Sequence, residues 1–378
     1  MRQAQFSRGV KFVSEADRLM QHTHTHRQMR LKSLVALPFL AASLALPAAA
    51  QDNSPGVDPE YVRDFPQTLT VRTYVGEKIS IFGIEDRKND VDIRYRPNNI
   101  LAVGVGVTVK GIGLNFSTRI PGYKDKEDQY GRTRRIDIQV HRYRGKLAVD
   151  AYFQRYRGFH INDLEDVTRT GTPPKETVYP YFPNMQTITA GATVMYVFNG
   201  NRVSLRAPVN QQEWQLRSAG SPLLGAGLYY RDFSNKDSTF IPQYIAQRQF
   251  LDGSQISRVQ NYSLTVNGGY GYHFVFKRHL YLMVGLEAGA GLGYSVTHDT
   301  LDKRQSKLGP QFTGNVRAGF GYNSRHWQSG IYSIVHSDRM VLPYDQTNLS
   351  TSLGIVRFFV AYRFDEPGFL RKIKTPGS

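Results

Sequence analysis

The chain has no cysteine in 378 residues. That excludes a disulfide scaffold, a thiolate metal site and a lipoprotein anchor, which needs a cysteine at its cleavage point. It suits a protein that crosses an oxidising periplasm without disulfide machinery. Long apolar runs are also missing. No stretch after residue 50 holds the roughly 18 consecutive apolar residues of a transmembrane helix. Tryptophan is scarce at 2 residues, whereas Tyr (23), Phe (21) and Gly (34) are plentiful, a bias towards β-structure with many turns.

What is present begins with an address. Met29-Arg30-Leu31-Lys32 is a basic n-region, Leu34 through Leu46 an apolar h-region, and Ala48-Ala49-Ala50 a small-residue cleavage site. Residues 29–50 are therefore expected to be a secretory signal peptide. Residues 1–28 precede the better start at Met29 and are expected to be a mis-assigned extension, so His22, His24 and His26 are not read as a metal site. Residues 1–50 carry seven basic and two acidic residues, which from totals of 48 and 31 leaves 41 basic against 29 acidic in the remainder. A basic excess can mean nucleic acid. In a secreted chain, basic rims facing anionic headgroups and solutes are the better account.

The far end carries the strongest pattern. In residues 350–364, Val356, Phe358, Val360, Tyr362 and Phe364 fall on one face of a strand, while Arg357, Ala361 and Arg363 fall on the other. In a soluble sheet the apolar face would cover a core. In an outer-membrane barrel it faces lipid, with Phe358, Tyr362 and Phe364 in an aromatic girdle, and the charged face lines a wet lumen.

Counting back from that strand gives twelve candidates: 70–83, 91–109, 111–120, 133–142, 146–156, 186–198, 212–231, 258–276, 279–294, 311–323, 327–337 and 350–364. The connections alternate in length. Short ones fall around Lys110, Gly145, Arg278 and Arg325, and a further one runs from Asn199-Gly200 to about 211. Long ones cover 84–90, 121–132, 157–185, 232–257, 295–310 and 338–349. Short periplasmic turns opposite long external loops are the outer-membrane arrangement. Alternation within the strands agrees. Leu280, Leu282, Val284, Leu286 and Leu292 oppose Tyr281, Met283, Glu287 and several glycines, the latter a plausible relief for close approach inside a barrel.

The most unusual polar segment runs from Gln211 to Ser221. As strand, it would put Gln211, Glu213, Gln215 and Arg217 on one lumenal face. Glu213 would then need a partner such as Arg119, Arg135 or Arg357. Glu287 is a second inward carboxylate, and Arg135 and Asp137 share a face opposite Ile136 and Ile138. This cluster reads either as a polar plug that rigidifies a narrow lumen or as a selectivity filter or binding site for a polar solute.

Catalysis has weaker grounds, and no catalytic residue is assigned. A serine nucleophile needs a histidine in hydrogen-bond reach and a third group to orient it. In Val335-His336-Ser337-Asp338 neighbouring side chains point to opposite faces. His298 lacks an evident serine, and His273 shares a face with Val275 rather than with a carboxylate. The acidic loop 124–128 has interleaved lysines that oppose a divalent ion. Neither metal nor cofactor is expected, and the glycines near 104–113 precede no helix of a dinucleotide site.

Arg96-Pro97-Asn98-Asn99 leading into Gly104-Val105-Gly106-Val107 and Gly111-Ile112-Gly113-Leu114, with Gln212-x-x-Gln215-x-x-Ser218-Ala219-Gly220-Ser221, resembles the uncharacterised outer-membrane barrels of domain of unknown function 4421, over roughly 65–364. The resemblance implies a secreted Bacteroidetes-type β-barrel without an assigned activity, and carries over no site residues. Here Phe364 is followed by fourteen residues, unlike the terminal aromatic of outer-membrane barrels generally.

The expectation is thus an all-β protein: a single 12-stranded antiparallel transmembrane barrel over 69–364, after a loose periplasmic lead-in at 51–68 and before a periplasmic tail at 365–378. Its expected place is the bacterial outer membrane, with membrane lipid and the barrel-assembly machinery as partners and no nucleic acid. The expected role is structural or the handling of a small solute or lipid. Two alternatives stay open, a barrel lipid hydrolase and a soluble periplasmic β-sandwich or adhesin-like protein, as does oligomeric state.

Overall fold

The computed structural model describes residues 56–365, apart from 66, 89–90, 99–100, 110–111, 121–125, 145, 162–179, 237 and 241–255. The expected extension and signal peptide, and the tail from 366, lie outside the described residues. The elements in chain order are β1 (Val62–Asp64), β2 (Leu69–Asp86), β3 (Val91–Arg96), β4 (Ala102–Val109), β5 (Ile112–Arg119), a one-turn helix α1 (Glu127–Tyr130), β6 (Arg134–Arg144), β7 (Leu147–Ile161) and β8 (Tyr181–Val197). They continue with a second one-turn helix α2 (Ala207–Asn210), β9 (Glu213–Gln215), β10 (Ala219–Asn235), β11 (Ile256–Phe276), β12 (Leu280–Asp299), β13 (Arg304–Asn323), β14 (Trp327–Val341) and β15 (Thr347–Phe364).

Ten strands close an antiparallel barrel in the order β2, β3, β7, β8, β10, β11, β12, β13, β14, β15, with β15 pairing back onto β2 along its whole length, from Leu69 opposite Phe364 to Asp86 opposite Thr347. Three further strands hang from this ring: β4 on the lower half of β2, β5 on β4, and β6 on β7. The expected count of twelve therefore does not describe the closed ring. The expected strand 91–109 is split into β3 and β4 around Pro97, which has no amide to donate to a ladder. Asn98 then turns away. Its backbone N–H donates to Thr133 Oγ1 (2.8 Å) and its side-chain amide donates to the Gly131 carbonyl (2.8 Å).

That turn lets β3 cross to β7, where Tyr95 lies opposite Ile161 and Arg96 opposite His160. β7 is bulged just below this joint, at Gly158. Gly158 has φ +91°, and a Cβ there would sit 2.2 Å from the Arg132 carbonyl oxygen, so only glycine fits. Below the joint, β5 and β6 share no ladder pairing among the described residues.

The strands outrun the sequence expectation at the end away from Leu69 and Phe364. Much of the expected loop 295–310 is strand, since β12 runs on to Asp299 and β13 begins at Arg304. The loops expected at 157–185 and 232–257 fall largely outside the described residues.

Burial is reversed relative to a soluble domain. Leu264 is 61% exposed, Leu292 61% and Phe358 55%, whereas Arg231 and Arg363 are inaccessible inside the barrel. The outward apolar residues of β12 run from Leu280 to Leu292, a band roughly 30 Å tall at about 3.3 Å per residue and a tilt near 40°. No helix is long and apolar enough to cross a membrane among the described residues, which says nothing about strands.

Candidate functional site: a filled lumen and a side cavity

The lumen is filled in three layers. At the end where β2 starts and β15 stops, residues 198–218 fold into the mouth as a plug. β9 does not belong to the barrel; it pairs with β1, placing Asp64 opposite Glu213 and Val62 opposite Gln215. The expected strand 212–231 is thereby corrected: the barrel strand starts only at Ala219. The polar–apolar alternation at 211–216 is real but short, and the left-handed backbone of Gln211 (φ 57°) ends any longer strand. Residues 58–65, ahead of β2, are hydrogen-bonded to the plug. Asp58 N–H donates to the Asn201 carbonyl, Leu216 N–H to that of Tyr61 and Phe65 N–H to that of Gln212.

Arg363 joins plug to wall. Its Nε donates to the Gln211 carbonyl (2.6 Å), its Nη1 to the Ser324 carbonyl (2.5 Å), and its Nη2 to Gln328 Oε1 (2.6 Å) and the Glu213 carbonyl (3.2 Å). From β2, Arg72 donates to Gln211 Oε1 (2.9 Å). Gln215 is buried and braces the plug internally, accepting from Ser204 N–H (2.8 Å) and donating to the Arg202 carbonyl (2.6 Å). Glu213 is partnered by Arg206 and the Ser204 hydroxyl, neither of them among its expected partners. Arg217 departs from the expected lumenal face altogether. It stands at the rim, 57% exposed, and pairs with Glu60 at 3.0 Å.

Arg206 also reaches Asp64 at 3.2 Å, so two carboxylates share one guanidinium. Burial, reinforced by Glu213, outweighs Arg206 and lifts the Asp64 pKa. For Arg206 burial opposes the charge, yet Glu213 and Asp64 more than offset it, and its pKa rises.

The middle layer is a chain of buried polar groups. Arg231 on β10 meets Asp338 on β14 at 2.5 Å with neither side chain accessible. His336 Nε2 lies 3.0 Å from Asp338, and its Nδ1 2.6 Å from Asn315 Oδ1. Asn315 and Arg317 then hold Glu287, Arg317 Nε at 3.0 Å, and Arg317 Nη2 continues to Asp150 at 2.8 Å. Glycines make room here. A Cβ on Gly291 would lie 1.9 Å from the Leu264 carbonyl oxygen. At the loop end the lumen is closed by apolar side chains, among them Phe82, Tyr95, Phe159, Phe233, Phe240 and Met340, all buried in one cluster.

A cavity of about 220 Å³ remains beside β5 and β6. Tyr74, Gly76 and Lys78 of β2, Ile355 and Arg357 of β15, Ala102 of β4, Ser117 of β5, and Arg135 and Asp137 of β6 line it. Three of the expected site residues, Arg135, Asp137 and Arg357, thus meet in one place. The side chain of Arg119 is outside the described residues. The cavity's Lys78, and the lumenal Arg206, Arg231, Asp338 and Arg363, were missed as site residues. Alternation alone marks Arg363 as inward, but nothing local marks its partners.

The girdle residues Phe358 and Phe364 point outward, and Tyr362 is half-buried between Trp327 and Phe364 with ring centroids at 4.8 and 4.7 Å. His273, His279, His298, His326 and His336 each approach a carbonyl, amide or carboxylate oxygen rather than a serine hydroxyl. The Ser337 hydroxyl faces that of Ser352, 3.0 Å away. Among the described residues no group of His, Cys, Asp and Glu is placed to hold a metal ion.

Fold and site define a plugged β-barrel with its charge inside and its grease outside. The chain belongs to the family described as domain of unknown function (DUF4421), whose model matches residues 56–364. No curated protein matches. Among solved structures it is similar to the outer membrane protease OmpT from Escherichia coli, with 9% identity, covering 81% of this chain and 100% of that chain at TM-score 0.33. It is also similar to the toluene transporter TodX of P. putida (8% identity, 79% and 90% covered, TM-score 0.25). A third is Ail, the attachment invasion locus protein of Yersinia pestis (9% identity, 78% and 98% covered, TM-score 0.20).

Proposed function

We propose that this protein resides in an outer membrane as a barrel without an axial pore, and that it handles a small amphipathic molecule from its side. The observation that carries the reading is the pairing of an exposed apolar belt with a lumen blocked at both ends. A belt of this height on a soluble protein would be an exposed apolar patch far beyond what such surfaces carry. In a bilayer it matches the hydrocarbon band of outer-membrane barrels, about 25 Å tall. On this reading the short turns and the plug face the periplasm and the long strand extensions face outward. Twelve strands cross: β3 and β4 act as one, and β5 and β6 complete the wall. Membrane lipid and the assembly machinery are its partners.

The test has two parts. After overexpression, the protein should stay in the membrane pellet through a carbonate wash; release would favour a soluble sandwich. Purified protein in planar bilayers should give no stable conductance steps. Porin-sized steps would overturn the occluded lumen.

A further inference from the structure

Among the described residues, the edges of β5 and β6 face an unpaired seam at the height of the apolar belt. Ser117 on β5 lies opposite Gly104, Gly104 opposite Tyr74, and Tyr74 opposite Phe359, whose outward neighbours are Phe358 and Val360. Unpaired backbone N–H and C=O groups at that depth are costly, since hydrocarbon offers no hydrogen bonds. Apolar side chains flank the seam on its outer side: Phe116 (72% exposed) and Leu114 on β5, and Ile136 and Ile138 on β6. Directly behind it lies the cavity.

The charge in that cavity is not balanced. Asp137 is paired with Lys78 Nζ (2.7 Å) and accepts from Gln154 Nε2 (3.0 Å) and the Tyr156 hydroxyl (3.0 Å), all on Oδ2, while its Oδ1 is buried without a hydrogen-bond partner. That leaves Arg135 and Arg357. Arg135 reaches no carboxylate among the described residues. Arg357 donates to the Tyr332 hydroxyl (2.8 Å) and stacks on Tyr74 with its guanidinium carbon 4.1 Å from the ring centroid. Its Nε is buried with no hydrogen-bond partner. A planar guanidinium fork beside a second arginine suits a carboxylate or phosphate.

We propose that this cavity is the head-group site for a single-chain anionic amphiphile that enters through the β5–β6 seam, its acyl chain lying against Phe116, Ile136 and Ile138. Size sets the division between head and tail. About 220 Å³ is below the range of pockets that enclose a drug-sized ligand, so it admits a phosphate or carboxylate group and leaves the chain outside. The site deepens the side-handling role proposed above and rests on it.

The test uses the full barrel in nanodiscs of phosphatidylcholine, with binding read by native mass spectrometry. Dodecyl phosphate, dodecanol and inorganic phosphate separate head from tail and lipid from free anion. Dodecyl phosphate should bind saturably, one per barrel, at least ten-fold tighter than either of the others. The double substitution Arg135→Gln/Arg357→Gln should weaken it ten-fold or more. Arg134→Gln, the outward neighbour on β6, should leave it unchanged, and heat-modifiable gel mobility checks that all variants are folded. Equal binding of inorganic phosphate would make this a free-anion site and overturn lateral entry. Binding insensitive to the double substitution, or absent, would overturn the site itself. Neither failure touches carbonate resistance or the absence of conductance, which stand or fall separately.

Discussion

Arg231 and Asp338 face each other at 2.5 Å with no access to solvent, and His336 and Thr351 add to the carboxylate's contacts. Removing one partner of such a pair leaves the other charge uncompensated, which costs about 3–5 kcal/mol. Arg231→Met should therefore lower the urea midpoint of the vesicle-embedded barrel strongly, and Arg231→Met/Asp338→Leu should recover much of the loss. A double variant no better than the single one would show that Arg231 matters through other contacts. Asp64 gives a pH prediction. Its folded pKa is raised, so the docked plug holds that proton more tightly than the undocked chain does. The stability this contributes is complete below the ordinary carboxylate value of about 3.9 and is lost as pH rises through the elevated one. Amide exchange over 204–215 should thus show the plug loosening from mildly acidic towards neutral pH. Asp64→Asn should flatten that slope and cost less than about 1 kcal/mol at neutral pH. The facing groups, Arg206 and Glu213, remain in that variant. None of these partnerships was legible locally. Arg206 sits in coil, and a guanidinium in coil carries no period to say what it faces.

Among the elements, the joint between β3 and β7 depends on the least side-chain chemistry and the most backbone geometry. Gly158→Ala would strain a backbone at φ +91° and press a Cβ into the Arg132 carbonyl. The expected result is a loss of about 1–3 kcal/mol and faster amide exchange at 95–96 and 160–161, readable by mass spectrometry. Unchanged exchange there would mean the bulge is not what holds the joint. Most strands were legible, since belt residues such as Leu280 to Leu292 alternate without interruption. β9 misled for the same reason: Gln211, Glu213 and Gln215 alternate with Trp214 and Leu216, but their partner is β1, some 150 residues earlier. The Pro97-Asn98 pair stood inside an expected strand, and its consequence shows only once Thr133 and Gly131 are beside it.

For the molecule as a whole, the two ends of the lumen are closed by different physics. Hydrogen bonds from Arg363 and Arg72 hold the plug, while apolar packing around Phe82, Tyr95 and Phe233 closes the other end. Loosening one end should not open a pore. Arg363→Gln should raise exchange in the plug several-fold yet leave planar bilayers silent, because the apolar layer still excludes ions. Stable conductance in that variant would show that the loop-end cluster is not a seal.

The order of residues along the chain by itself determined the approximate strands and which side of each strand is greasy. Those properties are local, arising from side chains that alternate with period two on a twisted ribbon. The tertiary structure decided that the ring closes on ten strands, that residues 198–218 turn inward, and that Arg135 and Arg357 share a cavity behind an unpaired seam. Each of these depends on groups distant in sequence meeting across the lumen, and alternation carries no information about partners.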